Sequence, residues 1–207
     1  MRTPARAQLA FPHHALAELV AREWDEQGEE IRPADMPFTG LSNAAIDHVQ
    51  PDPAKFAAGI SAYARSDLLC YRADGPAELV ERQARHWDPL LEWASMRYDV
   101  GFRTTSGVLP VDQPESALAR LDAEVAMFSP FVLAPLSTMV TIAGSLIACL
   151  ALIEGARDVT EIWNACDIDE QWQAEQWGED AEAAARTAKR RADFETAARY
   201  ALLARQG

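Results

Sequence analysis

Lysine is scarce in this chain: there are two, Lys55 and Lys189. Neither follows a glycine-rich loop, so the phosphate-cradling P-loop is excluded. No G-x-G-x-x-G follows a strand. No G-x-S-x-G elbow is present, so a hydrolase serine lacks its usual setting. The four histidines are His13, His14, His48 and His86, and none stands three residues after a Glu. That removes the Glu-x-x-His ligand pairs of carboxylate-bridged metal bundles. H-E-x-x-H is also missing. His86, beside Trp87, reads as a partly exposed helix residue.

Cysteine is equally sparse: Cys70, Cys149 and Cys166 are widely spaced and odd in number. No pair has the C-x-x-C spacing of a zinc site. Cys70 and Cys149 sit among apolar residues as small core side chains, which suggests a reducing compartment. Positive charge is in deficit, with 19 Lys and Arg against 32 Asp and Glu and a net charge of -13. The overall field repels phosphate, which argues against nonspecific binding to nucleic acid or anionic lipid. It favours a basic partner. No signal peptide is expected, because the opening MRTPARAQLAFPHH has no long apolar core and no cleavage signature.

Residues 125–153 contain no charge at all. A run of that length could span a bilayer. Pro130 and Pro135 interrupt it, hydroxyls at Ser137, Thr138, Thr141 and Ser145 dot it, and Glu124 and Glu154 flank it without a Lys/Arg cluster. A single fully buried central helix, with Gly144 and Ala148 admitting a close neighbour, fits better.

Length and composition suit one large or two small globular domains, and the pattern is mostly helical. Leu16, Leu19, Val20 and Trp24 share a helical stripe that Gly28 would end. A second helix is predicted within residues 39–49. Asp52 and Pro53 read as cap and first residue of a helix carrying Phe56, Ile60 and Tyr63. Residues 68–71 are either extended or a buried turn. Leu79, Gln83, Trp87, Leu90, Leu91 and Ala94 form one stripe, in which Pro89 either kinks the helix or follows a cap at Asp88. Residues 100–113 read as a loop with a short hairpin. Leu118, Leu121, Val125 and Phe128 mark the next helix. Asp158 and Glu161 have capping-box spacing. A last helix is predicted over residues 179–205, with i,i+4 pairs Glu182–Arg186 and Glu195–Arg199.

Acid is concentrated late in the chain. Residues 154–182 hold ten acids and one Arg, whereas residues 183–207 hold six bases and two acids. Asp167, Asp169 and Glu170 do not make a calcium loop, since position 172 is Trp where Gly is needed. They read as a solvated helix start, a docking surface for a basic partner, or acid/base groups. Trp24, Trp87, Trp93, Trp163, Trp172 and Trp177 are each framed by polar residues. Aromatics with a polar edge suit both cores and interfaces. Trp172 and Trp177, in an acidic, Gln-rich frame, are the candidates for an interface.

Three blocks carry a resemblance. The first is E-W-D-E-Q at residues 23–27 with M-P-F-T-G-L-S-N-A-A-I-D at 36–47. The second is S-D-L-L-C-Y-R-A at 66–73 with Q-A-R-H-W-D-P-L-L-E-W-A at 83–94. The third is D-E-Q-W-Q-A-E-Q-W-G-E-D at 169–180. In this order they resemble the ATP synthase assembly chaperones of the Atp-twelve family, which hold the free alpha subunit of the catalytic head.

The resemblance implies an α+β, predominantly α fold. A small N-terminal mixed domain over residues 1–50, its strands short or missing here, would precede an orthogonal helical bundle over residues 51–207. It implies a protein that is not an enzyme, needs no cofactor or metal, and inserts into no membrane. Its partner would be the alpha subunit, shielded from aggregation and released to the beta subunit. The free protein would be monomeric, in a bacterial-type cytoplasm or the mitochondrial matrix of eukaryotic relatives. Partner-binding residues would be Asp169, Glu170, Trp172, Gln173, Gln176, Trp177, Glu179 and Asp180, with a functionally important acid at Asp169 or Glu170. Trp24, Trp87, Asp88, Pro89 and Trp93 would be structural. The alternative read from the residues themselves is a carboxylate enzyme using the 167–180 cluster with an unidentified cofactor.

Overall fold

A computed structural model describes residues 1–107, 109–178 and 180–206. The helices are α1 (His14–Asp25), α2 (Pro37–Ala44), α3 (Pro53–Ser61), α4 (Ala77–Tyr98), α5 (Glu115–Ala126), α6 (Pro130–Ala143), α7 (Leu146–Ile153), α8 (Val159–Cys166), α9 (Ile168–Trp177) and α10 (Ala181–Ala204). The strands are β1 (Tyr71–Arg72) and β2 (Thr105–Ser106). The fold is α+β and predominantly α. Near the start of the chain, Arg2 and Gln8 form one antiparallel bridge.

The uncharged run is two helices, not one. Gly144 stops α6 in the left-handed region at φ +68°, a conformation cheap only for glycine. Ser145 then starts α7, its hydroxyl accepting from the Ala148 N–H at 3.0 Å. Gly144 is therefore a helix stop rather than a notch for a neighbour. Among the described residues, no helix is long and apolar enough to cross a membrane. Every residue of α7 is buried, none more than 3% exposed. A helix apolar on all faces needs neighbours on all faces, and α4, α6, α8 and α10 supply them. Each fully buried aliphatic chain there contributes about 1.5–3 kcal/mol.

The elbow before α7 is held from a distance by Asp67, which is fully buried. Its Oδ2 accepts from the Ile147 N–H at 3.0 Å and its Oδ1 from the Leu69 N–H at 3.1 Å. Leu68 N–H donates to the Gly144 carbonyl at 3.0 Å. Burial pushes the Asp67 carboxyl up to about 6, against the lowering effect of these hydrogen bonds. Residues 68–70 form a buried single turn that leads directly into β1. Strand β1 pairs in parallel with β2, Tyr71 opposite Thr105, so the 100–113 segment contributes one strand to a distant partner and, among the described residues, makes no hairpin of its own.

Helix α4 runs unbroken through Pro89. Asp88 therefore caps nothing; it is exposed and lies 2.7 Å from Arg72 Nη2. Asp52 caps α3 through the Lys55 N–H, and the Asp158–Glu161 capping box forms in full. In α10 the pair Glu182–Arg186 forms at 2.7 Å. Glu195 instead pairs backwards with Arg191 at 2.7 Å, which leaves Arg199 over the Phe38 ring. Cys70 and Cys149 are core residues, both fully buried. Burial raises the thiol of Cys70 to about 12 and that of Cys149 well above its ordinary value, which keeps both thiols protonated.

Candidate partner-binding surface

The expected site residues lie on and just after α9, a short helix that packs on α4 and α8. Its attachment is polar. Asp169 Oδ1 accepts from Gln83 Nε2 at 2.7 Å, and Gln83 Oε1 accepts from the Ala73 N–H at 2.8 Å. Gln83 is 2% exposed, so this relay joins α9, α4 and the end of β1 through the interior. Arg82 donates twice to Glu175, both bonds at 2.8 Å, and its guanidinium lies over the Trp172 ring at 5.2 Å. The hydrogen bonds from Arg82 hold the Glu175 carboxyl below its ordinary value and raise the guanidinium. Glu170 faces Arg190 at 3.5 Å. Asp180 accepts from the Glu182 N–H and starts α10.

The acidic block is thus not a free negative face. Each described acid between 167 and 182 has an intramolecular partner: Gln171 for Asp167, Gln83 for Asp169, Arg190 for Glu170, Arg82 for Glu175, the α10 backbone for Asp180 and Arg186 for Glu182. Asp167, expected at a solvated helix start, is 5% exposed. Arg82, Gln83 and Arg190, which position these acids, were not among the expected site residues. The one sequence signal was Gln83, a polar residue on an otherwise apolar stripe.

The two tryptophans of the block differ. Trp172 is half-buried under Arg82. Trp177, the last residue of α9, is 79% exposed. Two grooves flank it and share Gln173 and Trp177. One, of about 320 Å³, lies between α9 and α10. The other, of about 420 Å³, lies between α9 and residues 71–76. Gln173 and Gln176 are exposed beside them, and Glu179 lies outside the described residues. The structure therefore gathers Gln173, Gln176 and Trp177 at the surface and ties Asp169 inward.

The expected structural residues behave unequally. Trp87 is fully buried, donates its indole N–H to the Ala165 carbonyl at 2.6 Å and carries Arg72 over its ring. Trp93 is half-buried, edge-on to Tyr98. Trp24 does not hold the buried stripe of α1, because Glu23 does. Glu23 is 6% exposed, whereas Trp24 sits at the flank, half-buried, with its indole N–H buried and unpaired among the described residues.

Its aromatic and polar side chains sit on one outward helix beside shallow grooves. Comparison with known proteins gives the class of this largely helical molecule, a chaperone. Residues 1–95 match the family model described as ATP12 chaperone protein. The crystal structure of Atp12 from Paracoccus denitrificans superimposes with a TM-score of 0.95 at 43% identity, over 99% of this chain and 88% of that one. An aspartate-to-lysine mutant of the same P. denitrificans Atp12p matches equally well. The Atu1473 protein of Agrobacterium tumefaciens, described as a candidate chaperone, gives 0.92 at 42% identity over 98% of this chain and 76% of that one. The chain belongs to the ATP12 chaperone family.

Proposed function

We propose that this protein is an assembly chaperone of the F-type ATP synthase that binds the unassembled alpha subunit. It shields that subunit from aggregation and gives it up when the beta subunit takes its place. Family membership supports the chaperone role. The observation that carries the choice of surface is Trp177, 79% exposed at the end of α9 between two grooves. A large aromatic held in water is unfavourable for a free monomer and typical of the anchor residues of an interface. Binding needs neither catalysis nor a cofactor. When free of its partner the protein is a monomer in the cytoplasm, with residues 1–50 as an N-terminal unit and 51–207 as the chaperone body. Co-expression with the alpha subunit alone tests this. Formation of a soluble complex and a larger soluble alpha fraction are expected. Absence of both overturns the reading.

A further inference from the structure

The groove between α9 and α10 contains an unexplained carboxylate. Asp167 stands at the start of α9, where an aspartate ordinarily accepts from the first turn of its helix. Here its side chain makes no such cap. Oδ2 accepts from Gln171 Nε2 at 3.3 Å, and Oδ1, buried, has no partner among the described residues. A buried acceptor without a donor is costly, and more so when it is charged. The residue is 5% exposed and lines the groove together with Glu170, Ala174, Trp177, Asp180 and Thr187.

The nearby bases do not answer it. Arg190 is used by Glu170 at 3.5 Å and by the Ile142 carbonyl at 3.0 Å. Arg191 is used by Glu195 at 2.7 Å. What remains is a cleft of about 320 Å³ lined by Asp167, whose buried Oδ1 has no partner among the described residues, with Glu170 and Asp180 along it and the exposed Trp177 indole beside it. That volume is at the bottom of the range for ligand pockets, about 300–1,000 Å³, and suits one long side chain better than a folded segment.

We propose that this cleft receives a lysine or arginine side chain projecting from the partner polypeptide, which donates to Asp167 Oδ1 and packs against Trp177. The proposal rests on the chaperone reading and adds the chemistry of the contact. Carboxylate and aromatic ring together are the two groups that hold a cation away from water. Burial raises the Asp167 carboxyl above its ordinary value, which a bound cation would reverse.

Two measurements test this. The first titrates N-acetyl-arginine amide, and its neutral isostere N-acetyl-citrulline amide, into the full chain while the Trp177 indole and Gln171 side-chain amide are followed by NMR. Shifts with the arginine compound only, lost in Asp167→Asn, are expected. No shifts, equal shifts with citrulline, or an undiminished response in Asp167→Asn would each overturn the proposal. The second measures capture of the alpha subunit. Asp167→Asn keeps an acceptor for Gln171, so its melting temperature should stay level or rise while capture weakens at least tenfold. Undiminished capture by this variant overturns the proposal. If the wild-type chain captures no alpha subunit while the arginine compound still binds, the chaperone reading fails and the cleft stands.

Discussion

Thr39 gives both its backbone N–H and its hydroxyl to Glu23, each 2.7 Å from Oε2. The other carboxylate oxygen accepts from the Phe38 N–H, also at 2.7 Å. The start of α2 thus takes its cap from α1, and the E-W-D-E-Q and M-P-F-T-G blocks prove to be two halves of one contact. At the far end of the 36–47 stretch, Asp47 accepts from the Thr3 hydroxyl at 2.6 Å and the Ala5 N–H at 3.1 Å, pinning the first residues of the chain.

Replacing Glu23 by Gln should therefore cost stability. An amide offers one acceptor oxygen where the carboxylate offers two, and its NH₂ would face a backbone donor. The expected loss is about 1–3 kcal/mol, read from urea unfolding. An unchanged midpoint would show that water replaces the missing acceptor.

Asp67 sets a pH dependence whose sign is unusual for a carboxylate. Its folded value of about 6 lies above the ordinary 3.8. Between those values the folded state holds a proton that the unfolded chain has released. Its contribution to stability is therefore complete below about pH 3.8 and lost as pH rises through 6. The span corresponds to about 3 kcal/mol at most. Asp67→Asn removes this titration, so the stability of wild type relative to the variant should grow as pH falls from 7.5 to 4.5. A difference constant with pH would mean that the hydrogen bonds to Ile147 and Leu69 outweigh burial.

Gly144→Ala tests the division of the uncharged run. A Cβ there would meet Leu68 Cβ at 3.8 Å, an ordinary contact, so any penalty comes from φ +68°. A left-handed alanine costs roughly 1–2 kcal/mol. A loss of that size in urea unfolding is expected. No loss would mean that α6 and α7 join into one longer helix without harm.

Local signals were legible in the sequence and non-local ones were not. Asp52–Pro53, the Asp158–Glu161 box and the stripe from Leu79 to Ala94 depend on neighbours within a turn or two, and they formed as spaced. The break at Gly144–Ser145 was written in a glycine followed by a good cap residue, but lack of charge on both sides hid it. Pro89 was ambiguous because packing, absent from sequence, decides whether α4 survives the missing N–H. The pairing of Tyr71 with Thr105 joins residues far apart in the chain, and no periodicity encodes it. The blocks pointed to the stretch of chain that forms α9 and its exposed Trp177. They did not show that its acids bond inward, because their partners, Arg82, Gln83 and Arg190, lie on other helices.

That inward bonding changes what charge reversal at the block would mean. Asp169→Lys removes the acceptor of Gln83 Nε2 and brings an ammonium against a side chain that is 2% exposed. It should destabilise the attachment of α9 by about 1–3 kcal/mol, so lost capture of the alpha subunit would carry a structural component. Trp177→Ala separates the two effects. The side chain is 79% exposed, and its removal should shift stability by no more than about 0.5 kcal/mol. Capture should nevertheless weaken by tenfold or more if Trp177 anchors the interface, a loss of about 1.4 kcal/mol. Stability from urea unfolding and affinity from a pull-down titration, measured on both variants, place each residue. Full capture by Trp177→Ala would move the interface off the end of α9 and leave the second block's surface, around Asp88 and Glu92, as the next to mutate.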